Sequence, residues 1–195
     1  MTMATIVLYH HVQGRTDGVV AFAERLRSAG HTVHTPDLFD GATFATLDEG
    51  MAHAREVGFG SLLDAGVAAA DEFDDDVVYA GFSLGVMPAQ QLAQTRPGAR
   101  GALLLHACLP VSEFGDAWPD GVPVQVHAMD ADPFFAEEGG DIDAARELVA
   151  DTDGAELFLY PGDDHLFTDS SLPAFDADAA ELLLSRVLGF LDDLD

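Results

Sequence analysis

The pentapeptide Gly81-Phe82-Ser83-Leu84-Gly85 constrains the fold of this chain more than any other stretch. The apolar run 77–80 precedes it and predicts a buried strand, and residues 86–95 follow it and predict a helix. Strand, G-x-S-x-G and helix are the context of the nucleophile-elbow motif. The serine of this motif lies on a sharp, strained turn, and the flanking glycines leave no side chains to collide there. We therefore expect the Ser83 hydroxyl to stand clear of a sheet.

The rest of the chain alternates short apolar runs with helical patterns, which is typical of an α/β domain. Strands are predicted at 5–10, 31–35, 77–80, 101–106, 122–127 and 156–160. One helix is predicted from an apolar face over residues 19–26 and ends at Gly30. Further helices are predicted at 60–73, 86–95, 141–150 (with Asp141 as N-cap) and 178–191. A turn is predicted at 11–14 and a loop at 38–51. We expect a single domain, residues 1–195, with a mostly parallel sheet of about six strands and helices on both faces, in three layers.

The charge of the chain is strongly one-sided. Asp and Glu number 35 against 8 Arg and no Lys, which gives a net charge of −27. The acidic residues are scattered along the chain rather than gathered in a tail, so the whole surface should carry carboxylates. Such a surface repels itself in dilute buffer and is relieved by salt. We interpret this as adaptation to a high-salt cytoplasm, and it argues against nucleic acid or an anionic membrane as a partner.

Several sequence features bear on where the protein works. Cys108 is the single cysteine, which excludes an internal disulfide and fits a reducing compartment. Its position after the apolar run 102–105 favours a buried packing role over a reactive thiol. The N-terminus lacks a positively charged segment, and no stretch approaches the length of a membrane span. A cytoplasmic location is therefore expected.

Polar residues follow the predicted strands at their carboxyl ends, where ligand sites of parallel sheets lie. A serine becomes a good nucleophile only when a histidine takes its proton, and a carboxylate must orient that histidine. The order Ser83, then Asp130 or Asp132, then His165 matches the chain order of the hydrolase triad. Pro133 biases Asp132 toward an extended conformation, which favours it as the acid. Asp130 is then expected to be a turn residue that bonds its own backbone.

An oxyanion formed during acyl transfer needs two backbone N–H donors. Leu84 follows the serine at the start of a helix and should supply one donor. The turn after the first strand should supply the other, from Val12 in preference to His11. Aromatic residues could line an apolar pocket nearby, and the candidates for a substrate pocket are His11, Phe39, Trp118 and Phe134, with Phe44, Phe114 and Phe135 as further aromatic residues.

The chain resembles the dienelactone hydrolase family of α/β-hydrolases. The residues that carry the resemblance are Gly14, the stretch 29–33 leading to Pro36-Asp37-Leu38-Phe39, the elbow, Asp132-Pro133-Phe134, Tyr160-Pro161-Gly162 and His165-Leu166-Phe167, so that it covers nearly the whole chain. The resemblance implies an α/β-hydrolase fold with strand order 2-1-3-4-5-6. It also implies Ser83 as nucleophile, Asp132 as acid and His165 as base, acting on small lactones or related esters.

Two residues depart from the best-known members of that family. Those members carry cysteine at the elbow, where this chain has Ser83, and a glutamate at the position of His11, which is thought to control the thiol's protonation. A serine needs no such control, so the two departures are consistent with each other. The substrate-binding arginines of those members have no secure match, with Arg55 as a candidate.

Other functions stay open from the sequence. The chain could bind a ligand without turnover on the same fold, or transfer an acyl group to an acceptor other than water. A metal site from His10, His11, His106 and His127 is disfavoured because no local ligand spacing such as H-E-x-x-H occurs. No cofactor or metal is expected, the expected partner is a small-molecule ester or lactone, and a homo-oligomer stays open.

Overall fold

A computed structural model of the chain describes residues 3–73, 76–137 and 140–194. Its centre is one six-stranded sheet in the order β2-β1-β3-β4-β5-β6, with parallel pairing between all neighbouring strands. The strands are β1 Thr5–Tyr9, β2 Thr32–His34, β3 Val77–Phe82, β4 Ala99–Leu105, β5 Val124–Met129 and β6 Ala155–Tyr160. The helices are α1 Asp17–Ser28, α2 Leu47–Val57, α3 Phe59–Ala69, α4 Val86–Thr95, α5 Asp141–Asp151 and α6 Ala177–Asp193.

Both faces of the sheet are covered, as the near-continuous apolar strands require. Successive side chains of a strand point to opposite faces, so Ile6 and Leu8 pack beneath α1 and α6 while Val7 and Tyr9 pack beneath α4 and α5. On the α4 side, the Tyr9 hydroxyl also donates to the Gly66 carbonyl in α3 at 2.7 Å. The three-layer α/β prediction and the predicted strand order are confirmed.

Two local predictions are wrong. The stretch 38–51, predicted as a loop, contains the start of α2, because Thr46 caps this helix by accepting a hydrogen bond from the Glu49 N–H. Asp141 is not the N-cap of α5, which is Gly140. The Asp141 carboxylate instead accepts from the Cys108 N–H at 3.1 Å, a contact between the start of α5 and the loop after β4 that no local pattern reveals. Within the described residues, no helix is both long and apolar enough to cross a membrane.

Candidate active site

The turn between β3 and α4 holds Ser83 in the left-handed region, with φ of +49°. Close backbone packing explains the two glycines around it. A Cβ on Gly81 would lie 2.1 Å from the Gly85 carbonyl oxygen, and a Cβ on Gly85 would lie 2.5 Å from the Tyr9 carbonyl oxygen at the end of β1. Only glycine fits either position, so the elbow is locked against the neighbouring strand and its serine is held in a strained conformation.

Three side chains from separate loops form a chain of hydrogen bonds at this turn. The Ser83 Oγ lies 2.9 Å from His165 Nε2, and His165 Nδ1 lies 2.6 Å from Asp132 Oδ2. Asp132 is fully buried, and its other oxygen accepts from the Phe134 N–H at 2.9 Å. This geometry can pass a proton from the serine to the imidazole while the carboxylate holds one tautomer. The structure thus brings together the three residues that the sequence order singled out.

Asp130 follows the same strand, β5, but its carboxylate is hydrogen-bonded to a group other than His165. Its Oδ1 accepts from the Gly162 N–H at 3.1 Å, and its own N–H donates to the Tyr160 carbonyl at 2.8 Å. The prediction that its side chain bonds its own backbone is wrong, since it joins the loop after β5 to the loop after β6. It therefore supports the segment that carries His165 without contacting that imidazole.

Val12 and Leu84 lie beside the serine. Val12 is on the turn after β1, and Leu84 directly follows Ser83 in the chain. Both are buried in one small apolar cluster beneath α2 and α3. Helix α2 approaches the Val12 backbone so closely that a Cβ on Gly50 would lie 2.1 Å from the Val12 carbonyl oxygen. The backbone of this turn is therefore held in place by a helix that passes directly over it.

A cavity of about 420 Å³ opens above Ser83 and His165. Its apolar wall consists of Val12, Leu47, Met51, Ala107 and Phe134. Its polar wall consists of Asp48, Arg55, Ser83, His106, Asp141 and His165. A cavity of this size accommodates a small substrate next to the serine hydroxyl.

Comparisons with known proteins show the family and the fold of the chain. The sequence matches the dienelactone hydrolase family over residues 2–194. The chain belongs to the dienelactone hydrolase family. A search for relatives among curated proteins found no match.

Solved structures resemble the chain in fold over most of their length. One is a Klebsiella pneumoniae protein assigned as a dienelactone hydrolase (TM-score 0.74, 17% identity, covering 98% of this chain and 87% of that one). A second is a dienelactone hydrolase-like promiscuous phosphotriesterase from metagenomic libraries (TM-score 0.69, 20% identity, covering 98% of this chain and 86% of that one). A third is a cold-adapted esterase from an Arctic intertidal metagenomic library (TM-score 0.67, 17% identity, covering 100% of this chain and 83% of that one). At these identities the similarity supports the α/β-hydrolase fold alone.

Of the residues predicted for the substrate pocket, only some lie in its wall. Phe134 does lie in the pocket wall, with its ring 4.8 Å from the His165 ring, and Arg55 lines the pocket as well. Phe39, by contrast, is buried in the apolar cluster that contains Val12. Trp118 lies at a separate cavity on the α5 side and donates its indole N–H to the Val122 carbonyl at 2.7 Å.

His11 is also wrongly predicted as a pocket residue. It is almost fully buried, and its Nε2 donates to Asp169 Oδ2 at 2.8 Å. Its Nδ1 accepts from the Gln13 N–H at 3.2 Å, which leaves Nε2 as the donor to Asp169. The position that carries glutamate in the best-known members therefore holds a histidine already paired with a carboxylate of its own.

Two further strand-end histidines, His10 and His127, make structural contacts, whereas His106 lies in the pocket wall. His10 donates from Nδ1 to the His11 carbonyl and accepts at Nε2 from the Leu38 N–H, and burial lowers its pKa to about 4. Both ring nitrogens of His127 are also hydrogen-bonded, and burial lowers its pKa to about 3. In the described part of the chain, no group of three or more His, Cys, Asp or Glu side chains is arranged to hold a metal ion.

Sequence patterns did not reveal that Asp48 and Met51 of α2 and Asp141 line the pocket. Asp48, Met51 and Arg55 follow one another at spacings of three and four residues, which places them on one face of α2. The T-x-x-E pattern of residues 46–49 could have revealed the helix start, because Thr46 and Glu49 are typical N-terminal capping residues. Cys108, at least, has the packing role expected of it, and burial raises its pKa to about 12.

Proposed function

We propose that this protein is a serine hydrolase that cleaves a small carboxylic ester or lactone. The observation that carries the proposal is the chain of hydrogen bonds from Ser83 through His165 to the buried Asp132. Family membership supports hydrolase chemistry in general, and the pocket of about 420 Å³ limits the substrate to a small molecule.

In the proposed reaction, Ser83 Oγ attacks the carbonyl carbon while His165 Nε2 takes the hydroxyl proton. Asp132 accepts the Nδ1–H of His165 and stabilises the imidazolium that forms. The N–H groups of Val12 and Leu84 would donate to the negatively charged carbonyl oxygen of the intermediate. The leaving alcohol then takes the proton from Nε2, which leaves an acyl-serine.

Water completes the cycle. His165 takes a proton from a water molecule as the water oxygen attacks the acyl carbon, and it returns this proton to Ser83 as the acyl–oxygen bond breaks. In lactone hydrolysis the alcohol and the acid remain one molecule, so the product is a hydroxy acid. The pocket must release a newly formed carboxylate in either case.

The proposal is tested by two measurements on one preparation. Turnover of para-nitrophenyl esters and simple lactones is measured in strong salt, and covalent labelling by a fluorophosphonate probe is followed by mass spectrometry. Ser83→Ala should lower kcat by about 10³ or more and abolish labelling, with the fold intact by circular dichroism. Labelling of Ser83 without turnover of any ester would support ligand binding or acyl transfer instead, and unchanged turnover in Ser83→Ala would disprove the assignment.

We also propose that the protein works in a concentrated-salt cytoplasm. The net charge of −27 and the absence of lysine support this proposal, because a carboxylate-rich surface is stable only when its self-repulsion is screened.

A further inference from the structure

Asp141 is a carboxylate that the proposed mechanism does not use, although it belongs to the pocket wall. It is the first residue of α5, and its Oδ2 accepts from the Cys108 N–H at 3.1 Å. Its Oδ1 has no hydrogen-bond partner among the described residues, and the residue lines the pocket. One oxygen therefore anchors the carboxylate, and the other is available to a molecule in the pocket.

The environment of Asp141 is partly buried. Burial raises the pKa of its carboxyl, while the Cys108 N–H and the charge of His165 act in the opposite direction. The groups that face it are Asp132 and His165 from the loops after β5 and β6, His106 from the end of β4, and Asp48 and Arg55 from α2 across the same cavity. Charges in such a setting interact more strongly, and are screened less by salt, than charges on the open surface.

The fixed charges of the pocket wall do not balance. Asp141 contributes a partly buried carboxylate, while Asp48 and Arg55 contribute one carboxylate and one guanidinium at exposed positions of α2. No ion pair within 4.0 Å joins Arg55 to an acid in the described residues, so the carboxylates are not neutralised by contact. The rest of the wall beyond the proposed catalytic groups is mainly apolar. A substrate that enters therefore meets an apolar surface with a net negative field.

We propose that Asp141 is a specificity residue that makes this pocket prefer esters carrying an ammonium group over neutral or anionic esters of the same shape. This inference rests on the proposed function, since it names the substrate class of the same site. An ammonium group at the Asp141 Oδ1 would gain a charge–charge interaction that a neutral isostere lacks. A carboxylate-bearing ester would be repelled at the same place.

The experiment compares kcat/KM for matched esters in molar KCl, where the field of the whole acidic surface is screened. One pair is the para-nitrophenyl ester of γ-trimethylammonio-butyrate and its isostere with carbon in place of the quaternary nitrogen. A second pair carries the ammonium on the alcohol, as a choline ester and its tert-butyl isostere. The para-nitrophenyl monoester of adipic acid supplies the anionic case.

In the wild-type protein we expect the cationic member of at least one pair to be preferred by about fivefold to tenfold, which is the scale of one charge–charge interaction in a partly solvated site. Asp141→Asn keeps an oxygen for the Cys108 N–H and should reduce this ratio to about one. Asp151→Asn removes an equal charge from the opposite end of α5, and it should leave the ratio unchanged.

The pH dependence of the ratio gives a readout that does not depend on a variant. Because both esters of a pair use the same proposed triad, its titration cancels in the ratio. Protonation of Asp141 removes the charge, so the preference should fall as pH is lowered through a pKa above that of an ordinary aspartate. In Asp141→Asn this change should be absent.

The outcomes separate the two proposals. Turnover of the neutral esters with no cationic preference, or with a preference that survives in Asp141→Asn, overturns the role of Asp141 alone. A preference that Asp151→Asn reduces equally would assign it to the general field and would also overturn this role. Failure of every ester to react overturns the proposed function, and this inference with it.

Discussion

The Nε2 atom of His11 lies 2.8 Å from Asp169 Oδ2, and this buried pair joins the turn after β1 to the segment that follows His165. Asp169 also accepts hydrogen bonds from the Thr16 hydroxyl and from the N–H and hydroxyl of Ser171. One carboxylate therefore ties the turn that contains Val12 to the loop that contains the proposed base. The two loops must keep their separation if both are to act on one substrate.

Replacing this carboxylate should weaken the fold. In Asp169→Asn the amide nitrogen would face the donors that the carboxylate now accepts from, so we expect a loss of about 2–3 kcal/mol in the free energy of unfolding. Asp164→Asn, at an exposed position of the same loop, is the control and should stay within about 0.5 kcal/mol of wild type. Urea denaturation in strong salt measures both variants. Equal stability of the two would show that the buried network contributes little.

The same network predicts a pH dependence. Burial alone would raise the pKa of Asp169, but the hydrogen bonds from His11, Ser171 and Thr16 outweigh it and lower the pKa to about 2. In the unfolded chain the pKa is about 3.9, so the stabilisation is complete above that value and is lost as pH falls toward about 2. The difference in unfolding free energy between wild type and Asp169→Asn should shrink over that window. A difference that is constant from neutral pH to pH about 2 would contradict this prediction.

Two neighbouring aspartates allow the proposed triad acid to be tested. Asp132→Asn should lower kcat by about 10³ to 10⁴, because the amide favours the wrong tautomer of His165. Asp130→Asn should cost less than about tenfold, or about 1.4 kcal/mol on the barrier, because its side chain meets the Gly162 N–H and not the imidazole. Both are measured on one ester substrate. The reverse ranking would transfer the acid role to Asp130.

Gly50 should be required for stability, although helix propensity alone would favour alanine at this position. Alanine is favoured over glycine inside a helix by about 1 kcal/mol, but a Cβ here would lie 2.1 Å from the Val12 carbonyl oxygen. We expect Gly50→Ala to destabilise the protein by about 1–3 kcal/mol and to lower kcat, since α2 or the Val12 turn must move. Gly189→Ala in α6, where a Cβ meets nothing within 4 Å, is the matched control and should be stabilising. Similar behaviour of the two variants would mean that the Val12 turn tolerates displacement.

The net charge of −27 predicts a strong response to salt. The Debye length shrinks from about 30 Å at 0.01 M salt to about 3 Å at 1 M, so the repulsion between surface carboxylates should fall steeply. We expect the thermal midpoint to rise between dilute buffer and molar KCl. Sucrose at equal osmolarity controls for effects other than screening. A midpoint that stays level or drops in KCl would count against a high-salt origin.

The sequence by itself determined the features that depend on neighbours along the chain. The elbow needs glycine at 81 and 85 because the turn is too tight for side chains, and the flanking strand and helix are visible as apolar patterns. The order of Ser83, Asp132 and His165 could be seen because each lies beyond the carboxyl end of a strand, and parallel strands deliver their carboxyl ends to one edge. The strand order itself came from the family resemblance.

Only the tertiary structure decided which polar and aromatic side chains reach the pocket. His11 and Trp118 carry side chains typical of a binding site, yet His11 bonds Asp169, 158 residues away, and Trp118 faces another cavity. Asp141 had a suitable local role as a helix cap, but its carboxylate accepts from the Cys108 N–H in the loop after β4, and it lines the pocket that contains Ser83. The physical reason is that a buried polar group takes whichever partner the fold brings near, and that partner is set by packing between distant segments.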